Sequence, residues 1–582
     1  MSNKKTGVYL FCLLILGLIL TACGNDAPPP PVTTVAAATT QAADTTSAAT
    51  NPPATPTAQP TIPATPTPTT ATNAEPTPFP TLPPVQSFVP GRLDPSSATT
   101  TQAQVAGAKK LPRFEATEDC PFKLPEGKET TCGYVIVPES HAQPNNGRTL
   151  KLAVVVFKST NPKPAPVPII NIEGGPGGQV QGAISALTGD YYKAFTGNTD
   201  AIFYDQRGVG KSEPALFCPE FYTDLPVPPA QPFGDPEKLD DELRAALYCH
   251  DRFVNQGYNL NAYNSSESAG DINDIRIALG YSQLNLYGSS YGTLLAQTVM
   301  RLYPQIVRSV VLDSVVRPDI NFDLNSVATG SRSFNLIFQT CAADAACNKA
   351  YPDLKNVFSK TIAKLDSKQA SVPVTDPYYG DKFDVKISGT ELVQLLFQLM
   401  YSSRALPKIP QLIYSISKAD YSLLGSIISS SLYGDDIDWG MYFSVVCSEV
   451  WPFTGPDEQK IAEANALPEL LKGNDKSVQS TITLCRKWNV LKADPAEHTL
   501  LKSDLPTLVM EGQFDPITPP EYGQKVASQL SKSFYVEFAG YGHGEVIPSN
   551  PCGMNIFTSF IANPTVKPDT SCTRSLGIKF QT

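Results

Sequence analysis

LNLYGSSYG, residues 284–292, is the stretch from which the rest of the chain can be read. Apolar residues alternate into a Gly-Ser-Ser-Tyr-Gly turn, and TLLAQTVMRLYP, directly after it, carries apolar residues at helical spacing. A strand that reverses into a helix through G-x-S-x-G holds a serine hydroxyl above the edge of a sheet. In this register the serine is Ser290, and Ser289 is one position off. Side chains at Gly288 and Gly292 would collide with the neighbouring strand and helix as the chain reverses.

A short motif needs context, and the flanking segments supply it. Upstream, SAGDINDIRIALG places Ile272, Ile275 and Leu279 on one helical face, with Gly280 where the helix stops. Downstream, SVVLDSVV is a nearly all-apolar run, as a buried parallel strand requires. Helix, strand, turn, helix, strand is the pattern of a doubly wound α/β sheet.

The chain begins with Lys4 and Lys5 ahead of an apolar run from Val8 to Leu20. This is the pattern of a secretory leader. Leu20-Thr21-Ala22-Cys23 resembles a bacterial lipobox, so residues 1–23 are expected to be a lipoprotein signal with Cys23 lipidated; an ordinary signal peptide or a single anchor helix is the alternative. Residues 24–112 are Pro, Thr, Ala and Ser with few large apolar side chains, too little to offset the entropy of ordering. They are expected to form a semi-stiff tether that holds the body away from a membrane. The body would then lie outside the cytoplasm, anchored to the cell membrane or secreted.

The formal net charge is −10 and no helical stretch carries a Lys/Arg cluster, which disfavours nucleic acid as a partner. Of twelve cysteines, Cys12 and Cys23 fall in the leader. An even number remains in an exported chain, which argues for disulfides. Sequence does not fix their connectivity. Pairing neighbours gives Cys120 with Cys132, Cys218 with Cys249, Cys341 with Cys347, Cys447 with Cys485, and Cys552 with Cys572. Zinc is the alternative, but there is no C-x-x-C repeat and little histidine nearby. Neither a metal nor an organic cofactor is expected.

CGYVIVPES and LKLAVVVF read as an opening antiparallel pair joined through NNG at 145–147. VPIINIEGGPGG is an apolar strand breaking into a glycine loop, and DAIFYDQRGVGKS is a strand ending in a polar turn. Both loops fall at strand C-termini, where open α/β sheets place their sites. In acyl transfer the tetrahedral intermediate carries an oxyanion, held by the N–H after the nucleophile and another from a glycine-rich loop. Those donors are expected to be Tyr291 and Gly175.

A serine needs a base, and the histidines are His141, His250, His498 and His543. His543 alone lies late in the chain on a glycine-flanked loop after a strand, FYVEFAGYGHGEVIP. The orienting acid should precede it at the end of a strand, and LPTLVMEGQFDPITPP offers Asp515, with Glu511 and Asp504 as competitors.

GGPGG, DQRGVGKS at 205–212, GSSYG, EGQFDPITPP and GYGHG together resemble the tripeptidyl aminopeptidase and prolyl iminopeptidase group of serine α/β-hydrolases. The resemblance covers most of 167–316 and 505–572. It implies an α/β-hydrolase fold, a mostly parallel sheet flanked by helices. It also implies exopeptidase activity at the free N-terminus of a peptide, with an acyl-enzyme on Ser290. Arg207 is read as a structural charge that organises nearby loops. Iminopeptidases carry histidine before the glycine-proline loop, whereas this chain has Glu173, suited to bind an amine or to pack under the loop.

Core segments are expected at 113–316 and 503–582. Between them, 317–502 contains SFNLIFQTCAADAAC, GTELVQLLFQLMYSS and KIPQLIYSISKADYSLLGSII, all at helical spacing, and reads as an inserted helical cap. A cap restricts entry to chains with one free end. Amine recognition needs a carboxylate there: Glu449, or one of the acids of GDDIDWG at 434–440. A carboxylesterase or lipase acting on small esters is the alternative function, and a non-catalytic binding protein a further one. Dehalogenase and epoxide hydrolase chemistry would need aspartate in place of Ser290.

Overall fold

The computed structural model describes residues 110–221, 241–377, 379–431, 437–544 and 546–582. The expected leader, Cys23, the tether as far as residue 109, and the acids Asp435 and Asp436 lie outside the described residues.

The main sheet contains β1 (Arg113–Ala116), β2 (Thr130–Pro138), β3 (Thr149–Phe157), β4 (Ala165–Ile172), β5 (Thr199–Tyr204), β6 (Leu284–Ser289) and β7 (Val307–Asp313). An insertion carries the short strands β8 (Ala370–Thr375) and β9 (Lys382–Ile387), after which β10 (Thr507–Gly512) and β11 (Ser533–Phe538) complete the sheet. The order is β1-β2-β3-β5-β4-β6-β7-β10-β11. The first strands pair antiparallel, β2 with β3 and β3 with β5, and from β5 onward every pairing is parallel. This is the α/β-hydrolase sheet, extended by the four-residue β1, which sequence periodicity missed because RFEA is too short to show one.

Burial on both faces explains why the strands read as continuous apolar runs. Side chains alternate across a strand, so Leu152, Val154 and Val156 of β3 enter one core while Ala153, Val155 and Phe157 enter the other. The helix Ser265–Ala278 packs in the first of these through Ile272 and Ile275, and its Asn264 cap accepts the Glu267 N–H. Gly280 follows with φ +79°, the left-handed conformation that ends helices.

The insertion between β7 and β10 builds a third core from Phe334, Phe358, Leu396, Ile413 and Ile428. It is mostly helical and also contains the antiparallel pair β8–β9. From Ile437 onward the chain returns to the main domain, where Trp439, Val445, Val450 and Trp488 join the core beneath the helix Tyr291–Leu302. All five neighbour pairings of cysteines are present as disulfides. Among the described residues no helix is long and apolar enough to cross a membrane.

Candidate active site

The turn after β6 has the geometry its sequence demands. Ser290 sits at φ 56°, ψ −127°, a strained conformation for a residue with a side chain, between the strand and the helix Tyr291–Leu302. Its N–H donates to the Asp313 carbonyl at 3.0 Å, which ties the turn to the end of β7. A Cβ on Gly292 would lie 2.0 Å from the Ile172 carbonyl oxygen, and one on Gly288 2.3 Å from that of Gly292. No side chain fits at either position.

His543 lies in the loop after β11 and Asp515 in the turn after β10, and the parallel pairing of these strands brings the two loops to one rim. Asp515 Oδ2 accepts from His543 Nδ1 at 2.7 Å, with both side chains almost wholly buried. That bond fixes the tautomer with the proton on Nδ1. Thr518 Oγ1 lies 2.8 Å from the same carboxylate oxygen and 2.9 Å from Nδ1, while the Ile517 and Thr518 N–H groups donate to Oδ1. Burial raises the Asp515 pKa, but the His543 ring and these donors outweigh it and hold the carboxyl below its ordinary value.

The competing acids are placed otherwise. Glu511 is buried behind the turn, pushed up by burial and by Asp515, and accepts from the Val315 N–H at 3.1 Å. Asp504 is exposed, 3.5 Å from Lys532 Nζ. A further acid, Asp313, ends β7, and burial pushes it up to about 7 despite the opposing field of His543. Environments that drive neighbouring carboxyls apart in this way leave Asp515 as the charged one beside the ring.

His543 Nε2 is buried and has no hydrogen-bond partner among the described residues. The loop carrying it touches the elbow: the Gly544 N–H donates to Ser314 Oγ at 2.8 Å, and a Cβ on Gly544 would lie 3.0 Å from Ser289 Oγ. No hydrogen bond joins Ser290 Oγ to Nε2 here; catalytic contacts of this kind often tighten only with substrate bound. From the insertion, the Tyr401 ring packs edge-on against His543 at 4.8 Å, and the Tyr401 carbonyl accepts the His543 N–H at 3.0 Å.

On the other side of Ser290 is the glycine loop. A Cβ on Gly174 would be 2.8 Å from Ser290 Cβ and 3.3 Å from its Oγ, so this loop lies directly against the serine. Gly175 has φ +107°, which a residue with a side chain rarely adopts. Tyr291 is the first residue of its helix, where the backbone N–H has no intrahelical acceptor. Glu173 is buried immediately before the loop, and its carbonyl accepts from Gln206 Nε2 at 2.8 Å.

Arg207 is fully buried and bidentate on Asp271, with further bonds to the carbonyls of Glu139 and Ala262. His141 adjoins it, 2.7 Å from Glu267 and 3.1 Å from Asp274. His250 contacts Asp251, and His498 stacks on Phe453.

Glu449, the acid the sequence offers for a substrate amine, has both carboxylate oxygens engaged by Ser265, accepting from its N–H and its hydroxyl, each at 2.6 Å. A free helix start needs an acceptor, and Glu449 supplies it. Of the GDDIDWG acids within the described residues, Asp438 accepts the Gly210 N–H at 2.7 Å. Sequence reasoning missed Thr518, Tyr401 and this use of Asp438. Thr518 had a local signal, three residues beyond Asp515 in a proline-bounded turn, whereas the other two are joined to the site only by tertiary contact.

Residues 167–340 match the family described as alpha/beta hydrolase fold, and residues 472–572 the family described as TAP-like protein. The chain is similar to serine protease Hip1 of Mycobacterium tuberculosis, 25% identical over 468 residues, covering 77% of this chain and 87% of that protein. It is 33% identical over 223 residues to a tripeptidyl aminopeptidase of Streptomyces lividans, a match spanning 37% of this chain and 41% of that one. A Mycobacterium tuberculosis protein named carboxylesterase B is 24% identical over 466 residues, 76% of this chain and 86% of its own.

Proposed function

We propose that this chain, a TAP-like serine α/β-hydrolase, is an extracytoplasmic exopeptidase that cleaves peptides near their free N-terminus through an acyl-enzyme on Ser290. The observation that carries the reading is the buried Asp515–His543 pair at 2.7 Å, whose Nε2, without a hydrogen-bond partner among the described residues, lies on the loop that abuts the serine elbow. The names of the relatives, a serine protease and a tripeptidyl aminopeptidase, support a peptide substrate.

In this mechanism Ser290 Oγ attacks the scissile carbonyl carbon as its proton passes to His543 Nε2. Asp515, already charged, stabilises the imidazolium that forms. The carbonyl oxygen becomes an oxyanion that accepts from the N–H groups of Gly175 and Tyr291. Collapse breaks the C–N bond, and His543 returns the proton to the leaving amine. Water then attacks the ester, deprotonated by the same nitrogen, and releases Ser290.

In this reading Glu173, buried immediately before the glycine loop, is the acid assigned to a substrate ammonium. Five disulfides support an oxidising compartment, and the lipobox supports an anchor at Cys23 to the cell membrane. Chromogenic peptides with free and acetylated N-termini test the exopeptidase claim. Turnover of the free form alone is expected, and equal turnover of both forms contradicts it. The resemblance to a protein named carboxylesterase B favours a second reading, hydrolysis of small esters; ester turnover without peptide turnover would establish that reading instead.

A further inference from the structure

Asp438 is buried where the chain leaves the third core, and it meets the glycine loop in register: its N–H donates to the Gly177 carbonyl at 2.9 Å, and Ile437 bridges to Gly178. A Cβ on Gly177 would lie 2.7 Å from the Asp438 carbonyl oxygen, so only glycine allows this approach. One carboxylate oxygen, Oδ2, accepts from both Gly210 N–H at 2.7 Å and Gln179 Nε2 at 3.2 Å. It therefore ties the end of the glycine loop to the turn of the DQRGVGKS segment. Asp205 performs the same task from the sheet, accepting from Val180 N–H at 2.8 Å and Lys211 N–H at 2.7 Å.

The second leg of the hole is reached by another route. Glu449 lies in the π-helical turn Val446–Val450, and such turns are frequent at functional sites. Through Oε2 it holds the Ser265 hydroxyl, and that oxygen lies 2.7 Å from the Tyr291 hydroxyl. All three residues are buried. In a dry setting such a chain of hydrogen bonds has few alternative arrangements, so it fixes the ring of Tyr291 and with it the first turn of the helix.

We infer that the segment returning from the insertion to the main domain braces both halves of the oxyanion hole, Asp438 holding the loop that carries Gly175 and Glu449, through Ser265, holding Tyr291. Both acids are positioning residues, since neither touches the reacting atoms. The inference rests on the oxyanion roles proposed above for Gly175 and Tyr291. The hole is then held by residues of this returning segment, and displacing it would weaken transition-state stabilisation before it affected substrate contact.

The test compares a short peptide aldehyde, which forms a tetrahedral adduct with the serine, against the matching alcohol, which does not. In the wild type the aldehyde should bind far more tightly. Asp438→Asn and Tyr291→Phe, the second deleting one hydroxyl, should each lower that preference by roughly 10- to 100-fold, less than loss of a whole donor costs. They should lower kcat by a similar factor and leave KM and the melting temperature nearly unchanged. Asp438→Ala and Glu449→Ala extend the series where they fold. A wild-type aldehyde no tighter than the alcohol would overturn the oxyanion reading itself. A strong wild-type preference retained in both mild variants would overturn the bracing alone. A raised KM at constant kcat would also overturn it, by making these acids substrate contacts.

Discussion

Asp515 Oδ2 and His543 Nδ1 lie 2.7 Å apart, with side-chain exposures of 0% and 2%. The two residues are 28 positions apart in sequence and are brought together because β10 and β11 pair in parallel and end in register. Thr518, within reach of both atoms, limits the carboxylate to one orientation.

Asp515→Asn keeps the shape of this contact but offers an amide where the ring needs an acceptor, which favours the wrong tautomer. Turnover should fall about 10⁴-fold with KM little changed. Steady-state kinetics on a free-N-terminus chromogenic peptide check this; a loss under tenfold would remove Asp515 from its role.

Gly174→Ala should spare the fold better than Gly292→Ala. At 174 the added methyl would lie 2.8 Å from Ser290 Cβ and 3.0 Å from the Ser289 carbonyl oxygen, a milder overlap that the elbow can relieve only by displacing the nucleophile. At 292 it would meet the backbone of Ile172. The expected result is a folded, poorly active protein in the first case and little soluble protein in the second, read by expression, circular dichroism and turnover.

The dependence of stability on pH has two limbs with different sources. Burial lowers the His141 pKa, but Asp274 and Glu267 outweigh it and push it up to about 9. Its contribution is therefore complete below its unfolded value near 6.5 and is lost as pH rises through about 9. Glu449, pushed up to about 8 by burial and by Glu497, acts in the same direction, since its buried carboxyl must ionise. Glu267 is held down at about 2, where His141 and Arg207 outweigh its burial, so its contribution is present above its unfolded value near 4.5 and lost as pH falls towards 2. Melting temperatures should decline from pH 7 to pH 10, and His141→Gln should flatten that decline. A decline unaltered by His141→Gln would contradict the assignment.

Much of this was legible in the sequence because the decisive residues sit at strand ends, where a short run of β-formers gives way to glycine or proline. GSSYG, GGPGG and GYGHG each mark a place where the backbone must do something a side chain forbids. The disulfides could be paired because each cysteine's partner is its neighbour in order. What sequence could not supply were contacts made across the insertion. Glu449 shows no pattern separating an acid that faces a ligand from one that caps a buried serine. Asp438 and Tyr401 sit in stretches whose periodicity reports helix and turn but not which distant loop they meet. β1 was lost for want of length.

Removing the Cys447–Cys485 bridge should loosen the returning part of the insertion. Its 38-residue separation corresponds to about 4 kcal/mol in the chain-entropy account of disulfides. Replacement of both cysteines by alanine should lower the denaturation midpoint and depress kcat more than KM, because the helix bearing Glu449 begins beside this bridge. Unchanged kcat in a destabilised variant would detach the bridge from the site.

The most direct test of the nucleophile is covalent. Treatment with a fluorophosphonate followed by peptide mass spectrometry should find one adduct, on Ser290, and Ser290→Ala should abolish both the adduct and turnover, the latter on the order of a millionfold. An adduct on Ser289 or any other residue, or full turnover in Ser290→Ala, would contradict the account.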